Sequence, residues 1–373
     1  MNNIPKVIDL FAGVGGLSLG AARAGFNVSS AVEIDSYAIN AHAVNFPNTS
    51  HLAIDVSALS GRQLLDASGL LEGELDGLIG GPPCQGFSVI GPRNTDDIRN
   101  DLFNHFFRLV HETKPSFFVA ENVPGIMHRR YDLVRENAFS WIKDEYELLE
   151  PISIKANLYG APTSRTRIFF VGYNPKKYKY ALSVSHFKPD SSTELTVVEK
   201  ALIGLPTFTD PAWQDEKSSW QKVDINVGGR FIESVLDRIP IGVGSPYNIK
   251  RLHQGKEVSG FLGTIHSKEV AARYSSLLPG QQDYISKSVR LNPLGYCPTI
   301  RAGTSREKGS FQAVRPIHYS EARVINPREA ARLQGFPDWF SFHPTKWHSF
   351  RQIGNSVSPI VAEHVLSTIR KYL

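Results

Sequence analysis

The chain has 373 residues, 41 Lys and Arg against 36 Asp and Glu, 41% hydrophobic and 21% charged residues, and two cysteines. That is ordinary for a soluble protein; two cysteines argue against a disulfide framework and suit a reducing, intracellular setting, while the net charge of +5 is a mild pull toward polyanions. The length predicts two domains rather than one core. Positions 7 to 26 are fairly apolar but contain Asp9 and Arg23 and lack a basic leader, so neither a signal peptide nor a membrane span is expected.

The first third alternates strand and helix patterns, which predicts a parallel sheet. Lys6 to Phe11 reads as a strand, Leu17 to Ala24 as a helix closed by Gly25, and Val28 to Asp35 as the second strand. Ser36 can cap a helix running to about Phe46. Leu52 to Asp55, Leu75 to Ile79 and Phe117 to Asn122 follow as strands three to five. Between the last two, Asp101 to Thr113 has the apolar spacing of a helix covering the sheet. Ser164 to Gly172 reads as an edge-like strand on which period two puts Arg165 and Arg167 on one face. From Asn174 to about Asn326 the alternation is lost and Gly, Pro, Ser and aromatic residues dominate. Within that stretch Lys176 to Tyr180 reads as a solvated connector. Pro359 to Tyr372 has the spacing of a helix that packs beside the first one.

Chemistry concentrates at the strand ends. Asp9-Leu10-Phe11-Ala12-Gly13-Val14-Gly15-Gly16 is a glycine-rich loop feeding a helix N-terminus, the arrangement that binds nucleotides, although Ser18 stands where a full dinucleotide fingerprint has Gly or Ala. Glu33, twenty residues after Gly13, is placed for ribose hydroxyls, and Asp55 for an adenine amino group; helix capping is the alternative for both. Gly80-Gly81-Pro82-Pro83-Cys84-Gln85-Gly86-Phe87-Ser88 puts a thiol on a rigid turn just past a strand end, either as a nucleophile or as a buried structural cysteine. Cys297, between Tyr296 and Pro298, reads as structural and has no neighbouring cysteine for a metal. Glu121 ends a buried strand, where a carboxylate is costly unless used or paired. Gln85 to Asn100 reads as a polar loop able to close over a ligand or as an ordinary surface loop. Residues 290 to 332 hold seven Arg and one Lys against three Glu, a balance that favours a phosphate-facing surface, with Arg301, Arg306 and Arg315 as candidates for guanine edges or backbone.

In order and spacing, these segments resemble the DNA (cytosine-5) methyltransferase family of the restriction-modification type. Asp9 to Gly16 matches its S-adenosylmethionine loop, Gly80 to Ser88 its Pro-Cys motif, Glu121-Asn122-Val123 its Glu-Asn-Val motif, and Arg165 with Arg167 its Arg-x-Arg strand. Arg328 to Pro337 and Gln352 to Val357 match the two late motifs, and Thr299-Ile300 resembles the Thr-Leu pair near the flipped base. The likeness covers nearly the whole chain except about 175 to 325. Thr163 departs from the usual glutamine before Arg-x-Arg, which affects only a local hydrogen bond.

The resemblance implies an α/β fold: a Rossmann-like S-adenosylmethionine-dependent methyltransferase domain with a mostly parallel sheet over 1–185 and 349–373, plus a smaller irregular β-rich target-recognition domain over 186–348. It implies methyl transfer to C5 of a flipped cytosine in duplex DNA, through a covalent bond from Cys84 to C6, leaving 5-methylcytosine and S-adenosyl-L-homocysteine. Cys84 is then the nucleophile, Glu121 the proton donor to cytosine N3, Arg165 the group holding Glu121 and the cytosine carbonyl, and Arg167 the phosphate contact. The implied cofactor set is Phe11, Gly13, Gly15, Gly16, Glu33, Ile34, Asp55, Val56, Pro83, Leu102, Asn355, Ser356 and Val357, with no metal. Gln85, Ser88, Arg93, Thr299, Arg301 and Arg306 are the implied DNA contacts. The expected setting is cytoplasmic, associated with the nucleoid through DNA, as a monomer with no membrane and with any restriction endonuclease acting separately. The alternatives are a tRNA cytosine-5 methyltransferase, whose Cys-Phe-Thr signature does not occur here, a catalytically silent DNA-binding relative, and a nicotinamide dehydrogenase, which leaves Cys84 and Asn355 unexplained.

Overall fold

A computed structural model describes residues 4–83, 101–178, 181–302 and 314–373. Strand β1 (Lys6–Leu10) is the centre of the sheet, and helix α1 (Gly16–Arg23) leaves it through the glycine loop. Strand β2 (Asn27–Val32), helix α2 (Ser36–Asn45) and strand β3 (Ser50–Leu52) follow, then helix α3 (Gly61–Ala67) and strand β4 (Gly77–Gly80). Helix α4 (Asp101–Thr113) leads to β5 (Phe117–Asn122), helix α5 (Asp132–Ser140), and strands β6 (Glu147–Leu148), β7 (Ile152–Lys155) and β8 (Thr166–Tyr173). The eight strands form one sheet in the order β3-β2-β1-β4-β5-β8, with β6 and β7 together on the far side of β8. All pairings from β3 to β5 are parallel, and β8 runs antiparallel to its neighbours. This is a Rossmann-like arrangement, and strand order reverses between β1 and β4, where such sheets open a crevice beyond the strand ends.

The sheet is buried on both sides because its strands alternate two sets of apolar residues. Val7, Ile79, Phe117, Val119 and Phe169 pack on one face with Leu17, Val361 and Val365; Ile8, Leu78, Phe118, Ala120 and Phe170 pack on the other with Phe103, Phe106 and Phe107. Each one-residue step swaps faces, as a pleated strand must.

The middle of the chain has short helices, α6 (Val198–Leu202), α7 (Arg230–Leu236), α8 (Pro246–Lys250) and α9 (Lys268–Ser275), before α10 (Pro327–Gln334) and α11 (Lys346–Asn355). Its described strands are only the two-residue pair β9 (Gln221–Lys222) and β10 (Glu257–Val258), with isolated bridges elsewhere, so it is irregular as expected but poorer in strand. Its apolar cluster also takes in Val14, Leu19, Ala41 and Phe46 from the first part of the chain. The final helix, α12 (Pro359–Arg370), lies against α1 as its spacing predicts; a Cβ on Gly20 would stand 2.3 Å from Ala362 Cβ, so glycine permits the close crossing. No helix among the described residues is long and apolar enough to cross a membrane.

Four expectations are corrected. Asp35, not Ser36, caps α2, its carboxylate accepting from Tyr37 and Ala38 N–H at 2.9 and 3.2 Å. The third strand ends at Leu52, leaving Asp55 to cap the turn at 56–58. The Arg-x-Arg strand is not an edge: β8 is enclosed between β5 and β6/β7, which explains why it is so apolar beyond Arg167. Lys176 and Lys177 are exposed as a solvated connector should be, but Tyr178 is buried, its ring packed on Tyr173.

Candidate active site

At the carboxyl end of β1 the chain must turn sharply, and Gly13 (φ 56°) and Gly15 (φ 102°) supply the left-handed conformations that the turn needs. Phe11 takes φ 57° without being glycine, a strained conformation of the kind held at functional sites. Glu33, at the end of β2, accepts from Gly13 N–H at 3.0 Å and Asp35 N–H at 2.8 Å, which ties the loop to the second strand. Burial pushes its carboxyl above the usual range despite those bonds. Asp35 is in turn paired with Arg351 of α11 at 2.8 Å.

These groups surround a cavity of about 440 Å³ outside the strand ends. Of the expected cofactor residues, Phe11, Gly13, Gly16, Glu33, Ile34, Asp55, Val56, Pro83, Leu102, Asn355, Ser356 and Val357 line it. Gly15 does not: a Cβ there would meet Phe46 at 2.6 Å and His42 at 2.9 Å, so its role is to pack the loop on α2. Ile34 is 66% exposed, an apolar surface left open in the cavity beside Phe11. Asp55 both lines the cavity and caps its turn, accepting from Ser57 N–H at 2.9 Å. The sequence reading missed His348, Arg351 and Gln352, which also line the cavity. The signal was present: 348, 351, 352 and 355 share one face of a helix.

Glu121, Arg165 and Arg167 line the same cavity, at the side where β4, β5 and β8 end. Gly81 brings the backbone of the Pro-Cys turn against the acid; a Cβ there would stand 3.2 Å from Glu121 Oε2. Asn122 Nδ2 donates to Pro82 O at 3.4 Å, holding that turn to β5. Arg167, expected as a phosphate contact, is paired with Glu121, its Nε 2.7 Å from Oε1. Arg165 is more deeply buried and donates to Ile300 O at 3.4 Å, because it lies just before β8 where residues 297–300 cross. That crossing is fixed by Cys297, whose carbonyl accepts from Ser164 N–H at 2.9 Å and Thr163 Oγ1 at 3.1 Å. Thr163 thus has its own hydrogen bond in place of the glutamine's. Cys297 is buried and free, as the structural reading expects, and burial pushes its thiol up.

Cys84, Gln85, Ser88, Arg93 and Arg306 lie outside the described residues, as does the loop 85–100. Thr299 and Arg301 are exposed. The arginine count over 290 to 332 proves misleading as a sign of a phosphate-facing surface. Arg290 donates to Tyr274 and Tyr319 carbonyls, Arg323 pairs with Glu329, and Arg332 pairs with Asp338 at 2.5 Å. Arg328 donates to the carbonyls of Ser259, Pro337 and Phe340. Arg315 stacks on Phe350 at 3.9 Å, and burial lowers its pKa to about 10. Five of the seven arginines therefore hold the irregular region together.

Sequence comparison agrees with the fold. The profile of the C-5 cytosine-specific DNA methylase family matches residues 5–371, and the chain belongs to that family. It is a DNA cytosine-5 methyltransferase. Among curated relatives, the Type II methyltransferase M.XorII of Xanthomonas oryzae pv. oryzae is 36% identical over 99% of this chain and 85% of its own length. M.DdeI of Desulfomicrobium norvegicum is 33% identical over 98% and 89%. A crystal structure of a protein described as a DNA modification methyltransferase encoded within a prophage (E. coli) superposes with TM-score 0.89 at 50% identity, covering 99% of both chains. Dnmt2 from S. pombe, at 16% identity, TM-score 0.62 and 97% coverage of both chains, shares the fold.

Proposed function

We propose that the enzyme takes its methyl group from S-adenosyl-L-methionine and delivers it to a cytosine flipped out of duplex DNA, with Cys84 as nucleophile. One observation carries this reading: the glycine loop, Glu33 after β2, Asp55 in the turn after β3, the Pro82-Pro83 turn, Glu121 and the Asn355–Val357 segment all line a single cavity. The residues fit the cofactor. Exposed Ile34 with Phe11 suits an adenine face, and Glu33 sits where a ribose hydroxyl would be met. When bound, the cofactor supplies an electrophilic methyl group on a sulfonium.

The protein's part follows from cytosine chemistry. C5 is a poor nucleophile until a thiolate adds to C6, which turns C5 into an enamine carbon. Cys84, the residue after Pro83 at the cavity wall, makes that addition. Glu121 delivers the proton to N3 that drains charge from the ring, and Arg167 keeps the acid in place. Loss of the C5 proton then lets the Cys84 sulfur leave. The thiol must reach the face of the ring, so the base has to leave the stack, at a cost of a few kcal/mol. In the same reading residues 186–348 carry target recognition, Thr299 and Arg301 face DNA, and the enzyme works as a cytoplasmic monomer apart from any endonuclease.

The test is transfer of labelled methyl from S-adenosylmethionine to duplex DNA, with tRNA as a parallel substrate. Wild-type protein should label DNA cytosine and Cys84→Ser should not; a Cys84→Ser protein as fast as wild type overturns the nucleophile, and labelling of tRNA alone overturns the substrate.

A further inference from the structure

Under the glycine loop runs a chain of four side chains that the proposed chemistry leaves unused. Ser18, in the first turn of α1, places Oγ 2.6 Å from Asp9 Oδ2 and 2.9 Å from His42 Nε2, and His42 Nδ1 lies 2.9 Å from His51 Nε2. Asp9, Ser18 and His42 are fully buried, while His51 is half-buried and opens the chain to solvent. The second oxygen of Asp9 has no hydrogen-bond partner among the described residues. Among the described residues no cation balances it; the nearby charge is another acid, Glu33, which itself faces Asp35 and Arg351.

Neutral imidazoles carry one proton each, so the three links allow two orderings. In one, His51 Nε2–H donates to His42 Nδ1, His42 Nε2–H to Ser18 Oγ, and Ser18 Oγ–H to an ionised Asp9. In the other every donor is reversed: the Asp9 carboxyl holds a proton and donates to Ser18, Ser18 donates to His42 Nε2, His42 Nδ1–H donates to His51 Nε2, and the His51 proton sits on Nδ1. Passing from the second to the first moves one proton along each link and releases one from His51 Nδ1 to solvent.

We propose that Asp9, Ser18, His42 and His51 form a proton relay that lets Asp9 ionise when the methyl donor occupies the adjoining cavity and regain its proton when the product replaces it. Ser18, His42 and His51 are positioning residues in this scheme. It rests on the S-adenosylmethionine reading above. The donor carries one more positive charge than the demethylated product, and a cation beside two buried acids favours their ionised forms. The relay thus distinguishes donor from product by charge. Burial holds the Asp9 carboxyl at about 7 and keeps His42 neutral, so both orderings are accessible near neutral pH.

Imidazole tautomers, read by heteronuclear NMR on the full chain at pH 7, test this, with calorimetric proton counts taken in buffers of different ionisation enthalpy. Donor binding should move His42 and His51 toward the Nε2–H tautomer and release more protons than product binding. Asp9→Asn should abolish both differences. Should that variant not fold, Ser18→Ala cuts the relay at its second link, and the His42 and His51 tautomers should then ignore the ligand. Binding of both ligands by wild type without a tautomer change, or an unchanged proton count in Asp9→Asn, overturns the relay alone. Failure of wild type to bind either ligand overturns the cofactor assignment instead.

Discussion

Gly16→Ala probes the junction on which the cavity depends. Gly16 opens α1 with an ordinary helical backbone, so the substitution acts through space alone. Its Cβ would stand 2.4 Å from Val357 O and 3.2 Å from Ser356 Cβ, and the carbonyl contact is roughly 1 Å inside the 3.4 Å at which ordinary contact begins. The segment cannot simply retreat: Gln334 Nε2 donates to Ser356 O at 2.8 Å and Ser356 Oγ donates to Gln352 O at 2.8 Å. Overpacking of this kind costs about 1–3 kcal/mol, of which the better helix propensity of alanine returns at most about 1. Because Gly16, Ser356 and Val357 all line the cavity, the strain falls on its wall. A net ~1–2 kcal/mol corresponds to roughly 5- to 30-fold weaker binding of S-adenosylmethionine by titration calorimetry and a Tm lower by a few degrees. Gly25→Ala is the control: at φ 86° with nothing within 4 Å it strains the backbone far from the cavity and should lower Tm without touching affinity. A Gly16→Ala protein with wild-type Tm and affinity would refute the packing argument.

Other expectations use different parts of the structure. Arg167→Met removes the partner of Glu121 and should slow single-turnover methyl transfer by about 100-fold or more, with cofactor affinity changed far less; equal losses in both would contradict its role beside the acid. Asp9 is held at about 7 against 3.8 for an ordinary Asp, so the unfolded chain ionises first and free-protein stability should fall as pH rises from about 4 to about 7, then level off. The full effect is about 4 kcal/mol at most, seen as a difference in urea midpoints that Asp9→Asn removes. Asp338→Ala strands the fully buried Arg332 and should cost about 3–5 kcal/mol in urea unfolding, with loss of the α6 and α10 packing that Arg332 supports.

Local pattern was enough for the sheet and for most of the cavity, and pairing was not. Alternation from Val7 to Val171 dictates which residues face each helical layer, and helix α4 ends at Thr113 as its apolar spacing says it should. The glycine loop and Glu33 were legible because strand ends are marked by turn residues and by carboxylates that would be costly within a strand, and Asp55 because a carboxylate there caps the next turn. Charge in the irregular region was misread for a physical reason: composition counts arginines but does not say what they touch. Arg323 and Arg332 find their partners six residues on, at Glu329 and Asp338, and Arg328 reaches back to Ser259. A region with little regular ladder leaves many carbonyls without strand partners, and a guanidinium with five donors is suited to gather them. The same logic separates Arg165 from Arg167. Period two puts both on one face, but only contact with residues 297–300, over 130 positions away in sequence, decides that the first serves a carbonyl of the crossing segment while the second meets Glu121. The relay behind the loop was hidden for the same reason. Ser18 was noted only as a departure from a glycine pattern, and its use depends on a histidine from α2 and another from β3 that no linear spacing relates to it.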